Sequence, residues 1–235
     1  MWTRAELKMR AKQKLSCAYW SIVGITFLAN LVMGMFDIEI PADAMFEQGI
    51  IGEDIYLLLL MVNLAIAVGS LFLTIFVFNP LKVGLNRYYL NLETRSESWS
   101  DIFYPFKNHY WNVVGVVLLM NIKIFLWGLL LIIPGFVKAY EYRMIPYLLA
   151  EDSSLEAGEL FNATRNMMTG EKADAFVLDL SFAGWFILYI CTAGLLGIFF
   201  VDPYYKLTCT ELYRALKDRV DYLFDDYRDT MDVIL

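Results

Sequence analysis

Five ionisable side chains lie within or close to long apolar stretches of the sequence, where a charge is costly. The clearest is Lys123, in the stretch Asn121-Ile122-Lys123-Ile124-Phe125, and the others are Lys138, Glu141, Asp179 and Lys206. Ionisable groups at membrane depth usually mark a binding site or a transport route. These five residues therefore predict a polar cavity between helices that binds a ligand.

A purely structural role for the same residues is the alternative. Lysines extend their ammonium groups toward the membrane surface, and polar side chains join neighbouring helices. Lys138 and Glu141 stand three residues apart and could pair on one helical face. For most of these residues we favour the structural role over ligand binding. For Lys123 the two roles have equal weight.

The sequence carries no recognisable catalytic or metal-binding pattern. His109 is the only histidine, and Cys17, Cys191 and Cys209 are far apart in apolar runs. Glycine-rich phosphate loops, zinc-protease motifs and serine-nucleophile motifs are missing from the sequence. We therefore expect no catalytic residue, metal or cofactor, and no nucleic-acid partner.

The elements that position these residues are predicted to be membrane-spanning helices. Hydrophobic residues make up 59% of the chain and charged residues 19%, against about 25% charged in typical soluble domains. About 20 apolar residues span a bilayer as a helix. The fold class is thus an all-α, polytopic bundle of about six proline-broken helices, at residues 15–36, 55–79, 111–133, 136–150, about 173–191 and 195–216.

Two amphipathic segments are predicted to lie at the membrane interface. One is the basic segment 2–14. The other follows Ser153 and Glu156, which have capping-box spacing, and it ends near Gly170. Its apolar face comprises Ala157, Leu160, Phe161, Thr164, Met167 and Met168.

The distribution of Lys and Arg predicts the orientation. Residues 37–54 contain six acidic residues and no Lys or Arg, whereas segments 1–14, 80–107 and 217–228 are rich in basic residues. The positive-inside rule places both termini in the cytoplasm. Four crossings would do the same but would leave Arg165 and Lys172 outside, so six are preferred.

The chain is predicted to divide at residue 216. Residues 1–216 form the bundle, and residues 217–235 form an acidic amphipathic cytoplasmic tail. Anionic lipid would repel so many Asp side chains. The tail is therefore expected to dock on protein, either its own bundle or a partner.

A weak internal repeat is visible in three proline dipeptides within or near apolar helices. Asn79-Pro80 and Asp202-Pro203 are each followed by Lys and Tyr, and Ile145-Pro146-Tyr147 is similar. Three helical hairpins that each return through a proline-broken helix would explain the repeat, and chance similarity is the alternative.

The segment IPGFVKAYEYRMIPY at residues 133–147 closely resembles the hallmark of a bacterial integral membrane protein family, domain of unknown function 975. Further matches include Pro80-Leu81-Lys82-Val83-Gly84 and Leu178-Asp179-Leu180, and Thr164 and Glu171 depart from the pattern. The resemblance spans residues 4–216. It implies a multi-helix fold in a bacterial cytoplasmic membrane, a distant similarity to the membrane domain of glycerophosphodiester phosphodiesterases, and no established activity.

The leading hypothesis is a non-enzymatic membrane protein that binds or moves a lipid-like or small amphipathic ligand. Broken helices that carry polar residues often line such sites in transporters. The alternatives are a membrane scaffold that recruits a protein partner through the tail, and an intramembrane enzyme. Membrane lipids, a protein partner or a second copy of the chain are the expected partners.

Overall fold

The structure, a computed structural model of the chain, describes residues 2–34, 40–92, 99–192 and 194–234, with side chains except at 186 and 221–234. Across these residues the regular structure is entirely helical, which confirms the all-α class. The α-helices are α1 (Arg4–Cys17), α2 (Tyr19–Gly34), α3 (Ala42–Glu47), α4 (Glu53–Leu73), α5 (Asn79–Asn91), α6 (Tyr104–Lys107), α7 (Tyr110–Leu130), α8 (Ile132–Glu141), α9 (Ile145–Glu151), α10 (Ala157–Met168), α11 (Lys172–Leu180), α12 (Ala183–Cys191) and α13 (Asp202–Ile234).

Three helical stretches of the described chain are long and apolar enough to cross a membrane: Glu53–Asn91, Tyr110–Leu130 and Lys172–Cys191. The pair α1 and α2, bent by 97°, would add a fourth if it is one span. These helices are those expected of a membrane protein. The predicted number of six crossings is not confirmed by them.

Two prolines that were expected to break helices lie within continuous ones. A π-helical turn, Thr74–Phe78, joins α4 to α5, and a second one, Gly197–Val201, leads directly into α13. Pro80 and Pro203 follow these turns and cannot donate a backbone hydrogen bond. The wider turns let the chain continue past each proline, so the expectation of a break there is wrong.

The carbonyl four residues before each of these prolines receives a hydroxyl from another helix instead. Tyr110 donates to the Phe76 oxygen at 2.7 Å, and Tyr19 donates to the Phe199 oxygen at 3.0 Å. In this way a tyrosine satisfies a carbonyl that the proline leaves without its helical donor. The two similar sequence segments thus share one structural device.

The predicted boundary between the helices 111–133 and 136–150, and the second of these helices, need correction. The chain turns at Leu131, which is extended (φ −155°, ψ 137°), so Pro134 lies in the first turn of α8. A Cβ on Gly135 would lie 2.6 Å from the Gly128 Cα, so only glycine permits this close contact between α7 and α8. The predicted helix 136–150 is two helices, because Pro146 starts α9 and cannot continue the hydrogen bonding of α8.

Other predicted boundaries also shift. The helix predicted at 15–36 breaks at Ala18, because α1 turns away and packs against α13; residues 35 and 36 lie outside the described residues. The capping box of α10 pairs Glu156 with Glu159, not Ser153 with Glu156. Gly170 adopts a φ of +81°, as its predicted capping position requires.

The core lies away from the most apolar helix. Buried side chains from α1, α2, α5, α9, α10, α11 and α13 form one cluster, and valines of α7 pack with α9 and α10 in a second. None of the residues of α4 is buried. The helix α13 passes through position 216 without interruption, so the tail continues a helix of the core.

Candidate functional site: a cationic cavity between helices

A cavity of about 350 Å³ lies between α2, α5, α9 and α13. The three helices that begin at the repeated proline dipeptides all contribute to its wall. Residues from four helices and from the turn before α9 line it: Thr26, Ala29, Asn30, Met33, Lys82, Leu85, Asn86, Tyr89, Arg143, Pro146, Tyr147, Tyr205, Lys206 and Cys209.

Hydrogen bonds between side chains hold α2 against the other walls of this cavity. Thr26 donates to the Ile22 oxygen of its own helix, and its hydroxyl lies 2.7 Å from the hydroxyl of Tyr89 on α5. Asn30 donates to the Asp202 carboxylate of α13 at 2.9 Å. Polar pairs of this kind join helices where lipid offers no competing partners.

The lining carries three cations, Lys82, Arg143 and Lys206, and no acidic residue among the described residues that form it. Lys82 and Lys206 are exposed, and Arg143 is half-buried. The cavity therefore combines two exposed ammonium groups with one half-buried guanidinium.

Arg143 is fixed in position by a polar network. Its guanidinium donates to both carboxylate oxygens of Asp179, at 2.9 and 3.0 Å, and to the Tyr205 hydroxyl at 3.1 Å. Tyr140 donates to the same carboxylate at 2.8 Å, and the Cys209 sulfur lies 3.0 Å from the guanidinium. Bidentate pairing of this geometry orients an arginine strongly.

The acids beside the cavity compensate part of this charge. Asp179 is bound to Arg143, and Asp202 accepts the hydrogen bond from Asn30. Among the described residues of the lining itself, every charged side chain is cationic.

The structure does not bring the five predicted site residues together. Lys206 lines the cavity, and Asp179 lies behind its wall, bound to Arg143. Lys138 and Glu141 form the expected pair at 2.7 Å, which Lys172 extends at 2.5 Å to the other Glu141 oxygen. Lys123 covers the Phe161 ring at 3.5 Å. A ligand-binding role for these five residues remains a prediction.

Sequence reasoning missed most of the lining. Lys82 follows Pro80 by two residues, and Lys206 follows Pro203 by three residues. This spacing in the internal repeat is the signal that could have predicted both lysines in one site. Arg143 falls within the predicted helix 136–150, and the sequence suggests no partner for it. Its contact with Asp179 joins segments 36 residues apart, and no local spacing predicts it.

A second charged layer lies where α1 meets α13. Lys14 pairs with the buried Glu211, and Arg219 pairs with Glu171, which also accepts a hydrogen bond from the Trp2 indole at 2.8 Å. These residues are paired with one another and join three helices. No group of three His, Cys, Asp or Glu residues that could hold a metal ion occurs in the described part of the chain.

Comparison with known proteins gives one match. A family model described as "Protein of unknown function (DUF975)" matches residues 129–220. No curated protein and no solved structure matches the chain. The match includes Arg143, Asp179 and Lys206, whereas Lys82 and α2 lie outside it. It supports the resemblance noted in the sequence, and the expected similarity to glycerophosphodiester phosphodiesterase membrane domains stays a prediction.

Proposed function

We propose that this chain is a non-enzymatic integral membrane protein that binds or moves a lipid-like anionic amphiphile in the cationic cavity. The observation that carries the proposal is the set of three cations, without an acid, on the described lining of a cavity between apolar helices. An anionic headgroup would accept charge-assisted hydrogen bonds there, and these are stronger than hydrogen bonds between neutral groups.

The pre-set geometry of Arg143 favours binding. A flexible side chain loses conformational freedom when a ligand orders it. Asp179 and Tyr205 already hold the guanidinium of Arg143, so less freedom is lost on binding. Lys82 and Lys206 are exposed and supply charge that can adapt to the headgroup.

The combined length of α4, the π turn and α5 supports a position of the cavity at the depth of the lipid headgroups. The continuous stretch Glu53–Asn91 has 39 residues, or roughly 58 Å at about 1.5 Å per residue. The hydrocarbon core is only about 30 Å thick. If the apolar helix α4 occupies that core, then Lys82 on α5 reaches the headgroup layer.

The proposal includes a location. By the positive-inside rule, the basic segments support a position of this headgroup layer on the cytoplasmic side, with both termini in the cytoplasm. A multi-pass protein of a bacterial cytoplasmic membrane is the setting that the family resemblance implies.

The test is native mass spectrometry of the protein released from lipid nanodiscs that contain anionic and zwitterionic phospholipids. We expect retention of one anionic lipid per chain. Lys206→Gln and Lys82→Gln should each reduce the retained fraction several-fold, because each removes one charged donor. Lys12→Gln, on an exposed position of α1 outside the cavity, is the matched control and should retain the lipid.

Two results would contradict the proposal. One is a particle that is released without lipid. The other is a retained lipid whose fraction falls equally in the Lys206→Gln and Lys12→Gln variants, because that would indicate a general attraction between cations and lipid.

A scaffold that recruits a protein partner is the second candidate. The observation that favours it is the single helix α13, which lines the cavity at Lys206 and continues to Ile234. The acidic tail is therefore attached directly to the cavity wall. Truncation after Leu216 should abolish co-purification of a defined partner and leave lipid retention unchanged; loss of both would argue against a separate role for the tail.

A further inference from the structure

An apolar groove adjoins the cationic cavity. It lies between α2, α5 and the 3₁₀-helix Trp99–Phe103. The groove and the cavity share Ala29 and Leu85, and Leu28, Val32, Trp99 and Phe103 line the groove alone. The two spaces thus lie next to each other at Ala29 and Leu85, one with cations in its lining and the other with an apolar lining.

A specific contact builds the floor of this groove. Gly84 on α5 contacts the backbone of Ile102, and a Cβ at position 84 would lie only 1.9 Å from the Ile102 oxygen. Asp101 accepts a hydrogen bond from Asn91 at 2.8 Å. These contacts seat the 3₁₀-helix on α5 and place Trp99 and Phe103 beside α2.

We infer that this groove binds the hydrocarbon chain of the amphiphile whose anionic headgroup lies among Lys82, Arg143 and Lys206. The inference rests on the proposed function and deepens it, since it names an anionic headgroup with one attached hydrocarbon chain as the recognised unit. The cations of the neighbouring cavity and the shared residues Ala29 and Leu85 favour this occupant for the groove.

The arrangement also predicts selectivity. Hydrocarbon chains of the bilayer cover any lipid-facing surface without preference for their headgroup, because lipid tails are as apolar as the side chains they contact. A chain that enters this groove because its headgroup is held in the cavity must instead depend on the sign of that headgroup.

The experiment uses two photo-crosslinking probes with the full-length protein in nanodiscs. Both are octyl chains with a terminal diazirine; one carries a phosphate and the other a trimethylammonium group. Peptide mapping by mass spectrometry locates the crosslinks. We expect the phosphate probe to label groove peptides that contain Leu28, Val32, Trp99 or Phe103 about tenfold more than the cationic probe does. Lys206→Gln should lower that labelling several-fold.

A matched pair of variants on α2 tests the groove itself. Leu28 is 46% exposed and lines the groove, whereas Leu31 is 47% exposed and does not. Leu28→Trp should fill the groove and abolish its labelling, and Leu31→Trp should leave it unchanged. Both substitutions place a large side chain at a lipid-facing position, so neither should prevent folding.

Equal labelling of the groove by both probes would overturn the inference, as would phosphate-probe crosslinks spread over exposed apolar positions of α4. The lipid retention measured with Lys206→Gln separates this failure from a failure of the proposed function. Lipid retention that depends on Lys206, together with scattered crosslinks, would contradict only the groove as the binding site of the hydrocarbon chain. Lipid retention that does not depend on Lys206 would contradict the headgroup site as well.

Discussion

The helices α4 and α13 reverse the usual relation between hydrophobicity and burial. The helix α4 is almost entirely apolar, and none of its residues is buried. The helix α13 carries charged residues along most of its length, yet Glu211 on it is only 2% exposed and pairs with Lys14 and Arg214. In water the apolar helix would be the buried one.

The difference shows what holds each region in place. A bilayer would supply apolar surroundings for the exposed side chains of α4, so this helix would need few contacts with other parts of the protein. The region around α13 is held by tight packing together with paired charges. Substitutions of the same kind should therefore have different effects in the two regions.

The largest difference is expected for leucine truncation. Leu212→Ala on α13, at 0% exposed, should lower the free energy of unfolding by about 3 kcal/mol, because it leaves a cavity in a packed core. Leu58→Ala on α4, at 59% exposed, should change it by about 0.5 kcal/mol or less. Denaturant unfolding in detergent micelles measures both, and equal losses would remove the distinction between the two regions.

The next largest effect concerns charge. Asp179→Asn removes the carboxylate that orients Arg143 and should cost about 2 kcal/mol, below the usual value for a fully buried pair because both side chains are partly exposed. Asp54→Asn, at an exposed position in the first turn of α4, is the control and should have little effect. Lipid retention should fall with Asp179→Asn only; unchanged retention would mean that Arg143 needs no fixation.

Alanine substitution of two glycines, one in the packed region and one on α4, tests how closely the backbone is packed in each region. Gly84→Ala places a methyl group against the Ile102 carbonyl and should destabilise the protein by about 1–3 kcal/mol. Gly69→Ala on α4 meets no atom within 4 Å and should be neutral or stabilising by about 0.5–1 kcal/mol. The same unfolding measurement decides between them, and a neutral Gly84→Ala would show that the 3₁₀-helix shifts freely.

The apolar helices α4 and α7 were the part that the sequence predicted best. The helices near 55–79 and 111–133 follow from unbroken apolar runs, and the structure begins both within two residues of those limits. It ends the second at Leu130, but the first continues past Pro80 to Asn91. The packed region was predicted less well. At the π turns before Pro80 and Pro203, tyrosines from other helices donate hydrogen bonds to the carbonyls that each proline leaves without a donor. No local sequence pattern predicts these long-range hydrogen bonds.

The site shows the same division. Lys206 and Asp179 could be selected because each is an ionisable residue in an apolar stretch. Their contacts with Arg143, Tyr205 and the cavity depend on how α11, α13 and the turn before α9 come together. The spacing of charged residues along the sequence does not predict contacts between helices that are far apart in sequence, so the cavity itself could not be predicted.

The smallest effect is expected for Lys123, the residue that sequence reasoning ranked first. Its ammonium lies 3.5 Å from the centre of the Phe161 ring, away from the cavity. Such a contact contributes about 0.5–1 kcal/mol where it is partly exposed. Lys123→Met keeps the apolar stem, so it should lower the free energy of unfolding by that amount and leave lipid retention unchanged, as the control Lys12→Met should also do for retention. Loss of the retained lipid in Lys123→Met alone would move the ligand from the cavity beside α13 to the surface between α7 and α10.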